Sequence, residues 1–134
     1  MILHLIATPA ERATLGPADW YRLDGGALRE GAGGTVLARY DGERWSTGES
    51  RFVTIVCEGP VSCHFERGLE RRDNVAGPFA SLMLVDGVLW ADDTALARFD
   101  GGRAVWRLLS TEEDYRAISW RAALQRPEPD ARTA

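Results

Sequence analysis

Hydrophobic positions between Trp20 and Leu109 come in short runs that polar turn residues separate. The runs Arg51–Cys57 (RFVTIVC) and Ser81–Trp90 (SLMLVDGVLW) are rich in β-branched, aromatic and aliphatic residues, as is typical of central strands. Asp and Gly tolerate the positive φ angles of tight turns, so an Asp-Gly dipeptide between two such runs predicts a β-hairpin. The dipeptide occurs at Asp24-Gly25, Asp41-Gly42, Asp86-Gly87 and Asp100-Gly101. The pattern therefore predicts a mainly β protein built from antiparallel meanders.

The N-terminal segment has the pattern of a strand followed by a helix. Ile2–Ile6 is a short apolar run, and Thr8-Pro9-Ala10-Glu11 has the residue types of a capping box. A short helix is expected to follow and to end at Gly16-Pro17. The segment has no basic region, which argues against a signal peptide. No stretch reaches the ~20 apolar residues of a membrane-spanning helix, so we expect a cytoplasmic protein without membrane contact.

The C-terminal segment repeats the helix signal. Ser110–Glu113 (STEE) is a second capping box, and Tyr115, Ile118 and Ala122 fall at helical spacing. A C-terminal helix from Thr111 to Gln125 is therefore predicted, with a strand from Tyr115 to Trp120 as the alternative. Residues 127–134 contain no apolar anchor and are predicted to be a disordered tail after a single domain of residues 1–126.

One phrase of the sequence occurs twice. Thr35–Trp45 reads TVLARYDGERW and Thr94–Trp106 reads TALARFDGGRAVW, and an Asp-Gly dipeptide precedes each copy. The full repeat covers residues 20–45 and 82–106, which is a strand-turn-strand-turn-strand unit written twice. Two copies are too few to close a propeller, so we predict a compact sandwich or a small barrel with one meander in each half.

Each copy of the phrase places two Arg around its turn. A two-residue loop would set these like charges directly opposite each other, which is destabilising. A three-residue loop would instead place Tyr40 or Phe99 against the second Arg in a cation–π contact, and a bound anion is a further solution. A Trp closes each copy and could line a pocket. The candidate ligand-binding residues are Arg39, Arg44, Arg98, Arg103, Trp45 and Trp106.

Reactive side chains cluster between Cys57 and Glu66. In a strand, alternate residues share a face, so His64 and Glu66 would point together, as a base with a carboxylate or as two metal ligands. The candidate catalytic residues are His64, Glu66 and Cys63. No second His lies nearby, and the spacing of the two Cys does not fit a zinc or redox motif. Buried Cys and a hydrogen-bonded His are the structural alternative, and we expect neither a metal nor a cofactor.

Composition and charge narrow the function. The chain has 134 residues and a net charge of −4, and all 16 basic residues are Arg. Arg offers a fork that fits carboxylates, although a GC-rich bacterial genome would give the same composition. The Arg are dispersed, so nucleic acid is not expected as a partner, and no nucleotide-binding or hydrolase motif is present.

These observations favour a non-catalytic binding protein that recognises a protein partner or a small acidic ligand through a sheet face or barrel mouth. Two alternatives stay open. One is a small enzyme or metal-binding β-barrel centred on His64 and Glu66. The other is a structural homo-oligomer, such as a homodimer, that covers exposed strand edges.

Overall fold

The structure is a computed structural model and describes residues 2–7, 12–31, 34–48, 50–68, 70–73 and 78–122. Within these ranges all regular structure is β-strand, and the strand pairs are antiparallel. The strands are β1 (Ile2–Ile6), β2 (Arg12–Pro17), β3 (Trp20–Asp24), β4 (Ala27–Glu30), β5 (Val36–Tyr40), β6 (Trp45–Thr47), β7 (Ser50–Phe52), β8 (Thr54–Arg67), β9 (Glu70–Asp73), β10 (Phe79–Val85), β11 (Val88–Ala91), β12 (Thr94–Asp100), β13 (Val105–Leu108), β14 (Asp114–Tyr115) and β15 (Ala117–Ala122).

The strands form one continuous sheet in the order β14-β13-β12-β11-β10-β8-β15-β3-β4-β5-β6-β7, with β1 pairing β2 and β8, and β9 pairing β8. The long strand β8 changes neighbours along its length. Residues 54–58 pair with β1 and β10, whereas residues 61–67 pair mainly with β15 and β9. We call β2, β1, β8 (54–58) and β10–β14 the first wing. The second wing is β9, β8 (61–67), β15 and β3–β7.

The buried faces of the two wings pack against each other. Inward side chains of both wings belong to one hydrophobic cluster, in which Trp45, Trp106 and Trp120 are fully buried. Phe65 of the second wing meets Tyr115 of the first with ring centroids 5.4 Å apart. Each wing therefore has an inner face that forms the core and an outer face that points away from it.

The order of pairings repeats along the chain. β1 and β2 pair, β3–β7 form a meander, and residues 54–58 of β8 return to β1. From residue 61 the series starts again: β8 pairs with β9, β10–β14 form a meander, and β15 returns to β8. The chain is thus a tandem structural repeat whose second unit begins inside β8.

Each wing contains strands of both repeats. The returning strand of each repeat lies beside the first meander strand of the other, so β8 (54–58) pairs with β10 and β15 pairs with β3. Each wing consequently combines three strands of one repeat with five of the other. The inner faces of both repeats therefore contribute to one shared core.

The predicted helices are wrong. Arg12–Pro17, expected within the N-terminal helix, forms β2 and pairs with β1, while the capping box at residues 8–11 lies outside the described residues. The predicted helix from Thr111 to Gln125 is replaced by β14 and β15, so the alternative of a strand is the observed one. Ala117–Trp120 are all buried because β15 lies between β8 and β3, a place where a helix would leave both neighbours unpaired.

Two further expectations concern closure and the tail. The sheet is not closed into a barrel, because the path of paired strands ends at β14 and at β7. All-β structure with antiparallel pairing is confirmed. The predicted disordered tail, residues 127–134, lies outside the described residues.

Candidate functional site

The doubled turns differ from both expected loop lengths. Tyr40 lies opposite Trp45, and Phe99 lies opposite Trp106, so residues 41–44 and 101–104 connect the strands. The expected pairing of Arg with Arg, or of an aromatic ring with Arg, across each turn is therefore wrong. Asp41 explains the longer loop, because its Oδ1 accepts hydrogen bonds from two backbone amides at 2.9 Å. These hydrogen bonds lower the pKa of the Asp41 carboxyl.

The four Arg of the doubled phrase do not converge. Arg39 lies opposite Ser46, Arg44 is exposed in its loop, and Arg98 lies opposite Arg107. Arg103 binds Asp114 at 2.6 Å. The two Trp of the phrase are in the core with no exposed surface, and Trp106 Nε1 donates to the carbonyl of Gly25 at 3.0 Å.

His64, Glu66 and Cys63 fall on two faces of β8. His64 and Glu66 lie on the outer face of the second wing, whereas Cys63 is buried in the core, where burial raises its pKa to about 12. The other His of the sequence, His4, lies in the first wing and binds Glu58 at 2.8 Å. Within the described residues there is no group of three His, Cys, Asp or Glu side chains that could hold a metal ion.

A row of polar side chains crosses the outer face of the second wing through His64. Ser119 of β15 lies opposite His64 of β8, Arg22 of β3 lies opposite Ser119, and Arg29 of β4 lies opposite Arg22. The row therefore spans four neighbouring strands and joins residues from distant parts of the chain. We call these four residues the polar row. Sequence reasoning identified only His64 among them.

An ion pair crosses β15 beside this row. Arg22 Nη2 donates to Glu66 Oε2 at 2.9 Å, although β3 and β8 lie on opposite sides of β15 and are separated by two strand spacings of about 5 Å each. The pair must pass over the outward residues of β15, which are the small Ala117 and Ser119. Their exposed fractions are only 1% and 5%. We call the Arg22–Glu66 pair the strap.

Three polar atoms in this region lack a hydrogen-bond partner. Ser119 Oγ, Arg22 Nε and Arg29 Nε are buried, and none of them has a hydrogen-bond partner among the residues that the structure describes. The carboxylate of Asp24 is 3.9 Å from Arg29 Nε, which is too far for a hydrogen bond. Each such buried group costs about 1–3 kcal/mol. The region therefore holds two guanidinium N–H groups and one hydroxyl whose hydrogen bonds are not satisfied.

A cleft of about 400 Å³ lies where β3 begins and β4 ends, and it is lined by residues that include Asp19, Trp20 and Glu30. The guanidinium of Arg121 stands 5.1 Å from the centre of the Trp20 ring, on the strand pair β15–β3 that also carries Ser119 and Arg22. Two residues that line the cleft, Trp20 and Glu30, thus lie within two positions of Arg22 and Arg29 along the chain.

These features define an all-β protein with a folded antiparallel sheet and a donor-rich outer face. No family model, no curated protein and no solved structure matches the chain. Over the described residues, nothing helical has the length and apolar character needed to cross a bilayer.

Proposed function

We propose that this chain is a non-catalytic binding protein that holds a carboxylate-bearing ligand on the outer face of the second wing. The observation that carries the proposal is the group of buried donors without acceptors: Ser119 Oγ, Arg22 Nε and Arg29 Nε. Their cross-strand positions on β15, β3 and β4 bring them onto one surface. A ligand that supplies acceptors there would remove an energetic cost that the free protein carries.

A carboxylate is the group that best suits these donors. Charge-assisted hydrogen bonds to Arg are short and strong, and the planar guanidinium binds carboxylates through two parallel contacts. Glu66 already accepts one hydrogen bond from Arg22 Nη2 at 2.9 Å. In the proposal, the ligand carboxylate exchanges with Glu66 and reaches the Ser119 hydroxyl beneath the strap. The folded sheet then serves as a two-layer sandwich that presents this face.

The ligand is expected to be small or to be an acidic side chain of a partner. The adjacent cleft of about 400 Å³ is in the size range of small-molecule sites. Its Asp19 and Glu30 carboxylates favour ligands whose second end is neutral or cationic, since a second anionic group there would be repelled.

Titration of ¹⁵N-labelled protein with succinate, and separately with succinamide, tests the proposal. Succinate should give saturable shifts centred on Arg22, Arg29 and Ser119, and the neutral diamide should not. Arg22→Gln should weaken succinate binding about tenfold or more, because a hydrogen bond to a charged group contributes about 1.5–3 kcal/mol. Arg39→Gln, an exposed Arg on the same wing, is the matched control. Equal shifts with both compounds, or none, would reject the proposal.

The alternative of an enzymatic or metal centre uses His64 and Glu66 on the same face. Metal analysis of the purified protein and titration with Zn²⁺ separate the two cases. Stoichiometric metal that Glu66→Gln abolishes would favour the metal site. In the binding proposal, Glu66→Gln instead strengthens succinate binding, because it removes the competitor for Arg22.

A further inference from the structure

The repeat provides an internal comparison between the two outer faces. The first meander turn of each repeat has a two-residue loop, between Asp24 and Ala27 in the first and between Val85 and Val88 in the second. Aligning these turns makes Arg22 equivalent to Met83. Among the other outward positions, Ser119 is equivalent to Val56, Arg29 to Trp90 and Asp24 to Val85, whereas His64 is equivalent to His4.

Three of the four positions of the polar row carry apolar residues in the first wing. Where the second wing has Ser119, Arg22 and Arg29, the first wing has Val56, Met83 and Trp90, all partly exposed. The second wing shows that the fold accepts polar and charged residues at these positions. Folding alone therefore does not explain why the first wing has apolar residues there. Contiguous apolar surface on a soluble domain is characteristic of an interaction site. We call Val56, Met83, Trp90, Val85 and Val88 the apolar strip.

Unpaired charges of opposite sign flank the strip along β11 and β12. Arg98 lies opposite Val88 at one end, and Asp93 lies in the turn between Ala91 and Thr94 at the other. Trp90 and Ala95 form the cross-strand pair midway between them. Arg98 and Asp93 are exposed and form no ion pair with any residue in the described ranges. Measured along the strand direction, each charge lies roughly 7 Å from Trp90, because two residues of a strand span about that distance.

The Arg98 and Asp93 charges can complement each other between two copies of the chain. A two-fold axis that crosses the strands at the level of Trp90 exchanges the two ends of β11 and β12, so that Arg98 faces the partner's Asp93 and Asp93 faces the partner's Arg98. The apolar strip would meet its own copy at the centre, as an isologous interface requires. We propose that a second molecule of this chain covers the apolar strip, giving a homodimer whose second wings, with their polar rows, point outward.

Charge-swap variants examined by sedimentation equilibrium and light scattering test the dimer. Wild type should be dimeric at micromolar concentration. Arg98→Asp and Asp93→Arg should each raise the dissociation constant of the dimer about tenfold or more. The two-fold axis places the Arg98–Asp93 pair in the interface twice, so each variant loses two ion pairs and gains two contacts between like charges. The double variant should restore dimerisation. Arg39→Asp, at the equivalent position of the second wing, should have no effect.

A second variant distinguishes interface loss from unfolding. Trp90→Arg introduces at position 90 the residue that the first repeat has at the equivalent position, Arg29. The circular dichroism spectrum should therefore stay that of the folded protein while the protein becomes monomeric. A wild-type monomer at high concentration would overturn the proposal. So would retained dimerisation in both single charge variants, or failure of the double variant to recover. Arg22→Gln should leave the dimer intact, so the outcome is independent of carboxylate binding.

Discussion

Substitution of Ser119 by Ala should stabilise this protein, although Ser119 is among its most buried polar residues. The side chain is 5% exposed and its hydroxyl has no hydrogen-bond partner. Removing an unsatisfied buried hydroxyl recovers about 1–3 kcal/mol of desolvation cost, whereas losing one buried heavy atom costs somewhat less than 1 kcal/mol. The expected net gain is about 1 kcal/mol in the free energy of unfolding, or roughly 3–5 °C in Tm for a domain of this size.

Urea denaturation followed by Trp fluorescence measures this change directly. Ser81→Ala is the control, since Ser81 lies on the outer face of the first wing and is only partly buried; its effect should stay within about 0.5 kcal/mol. If Ser119→Ala lowered the free energy of unfolding by 1 kcal/mol or more, the hydroxyl would have a partner and the reasoning would fail. The same variant should weaken succinate binding, so stability and affinity should change in opposite directions.

Two further predictions concern the core and one turn. Gly87 has a φ of 80°, and a Cβ there would lie 3.0 Å from the Tyr40 hydroxyl, so Gly87→Ala should cost about 2–3 kcal/mol in urea denaturation. Gly25→Ala, with a similar φ but its nearest atom at 4.0 Å, should cost only about 1 kcal/mol; equal costs would show that the Tyr40 contact is unimportant. Cys57 and Cys63, whose pKa values burial raises to about 12, should resist a thiol reagent at pH 8 until urea unfolds the protein. Because the folded pKa exceeds the unfolded one, their contribution to stability is complete below about pH 8.5 and declines as pH rises toward 12; rapid labelling of the native protein would contradict their burial.

Strand content was readable from the sequence because it depends on local pattern. The four Asp-Gly dipeptides all lie where strands turn back, and at Asp86-Gly87 both residues have positive φ. The capping boxes predicted helices wrongly because they depend on only a few neighbouring residues. Arg12–Pro17 and Ala117–Ala122 instead form strands because they pair with segments elsewhere in the chain. Loop length was likewise unpredictable, since Asp41 stabilises a longer loop through its side chain.

The candidate site was only partly visible from sequence. Alternation in a strand places His64 and Glu66 on one face, and they do lie together. Arg22, Arg29 and Ser119 were missed because sheet order alone makes them neighbours, and that order depends on the exchange of β8 and β15 between repeats. Trp20–Asp24 (WYRLD) and Ile118–Trp120 (ISW) did contain a signal for outward polar residues. In both segments polar and apolar residues alternate, which places the polar ones on one face of the strand.

The internal repeat separates what the fold requires from what it permits. Three pairs of equivalent inward positions carry the same residue, namely Leu23 with Leu84, Leu28 with Leu89 and Ile118 with Ile55. These side chains share one core, so a change of side-chain volume on either wing alters the packing of the other. Some outward positions differ completely between the wings, since Arg22 is equivalent to Met83 and Arg29 to Trp90. Because the same backbone positions accept both chemistries, we propose that the difference between the faces serves binding: of a carboxylate on the polar row and of a second molecule on the apolar strip.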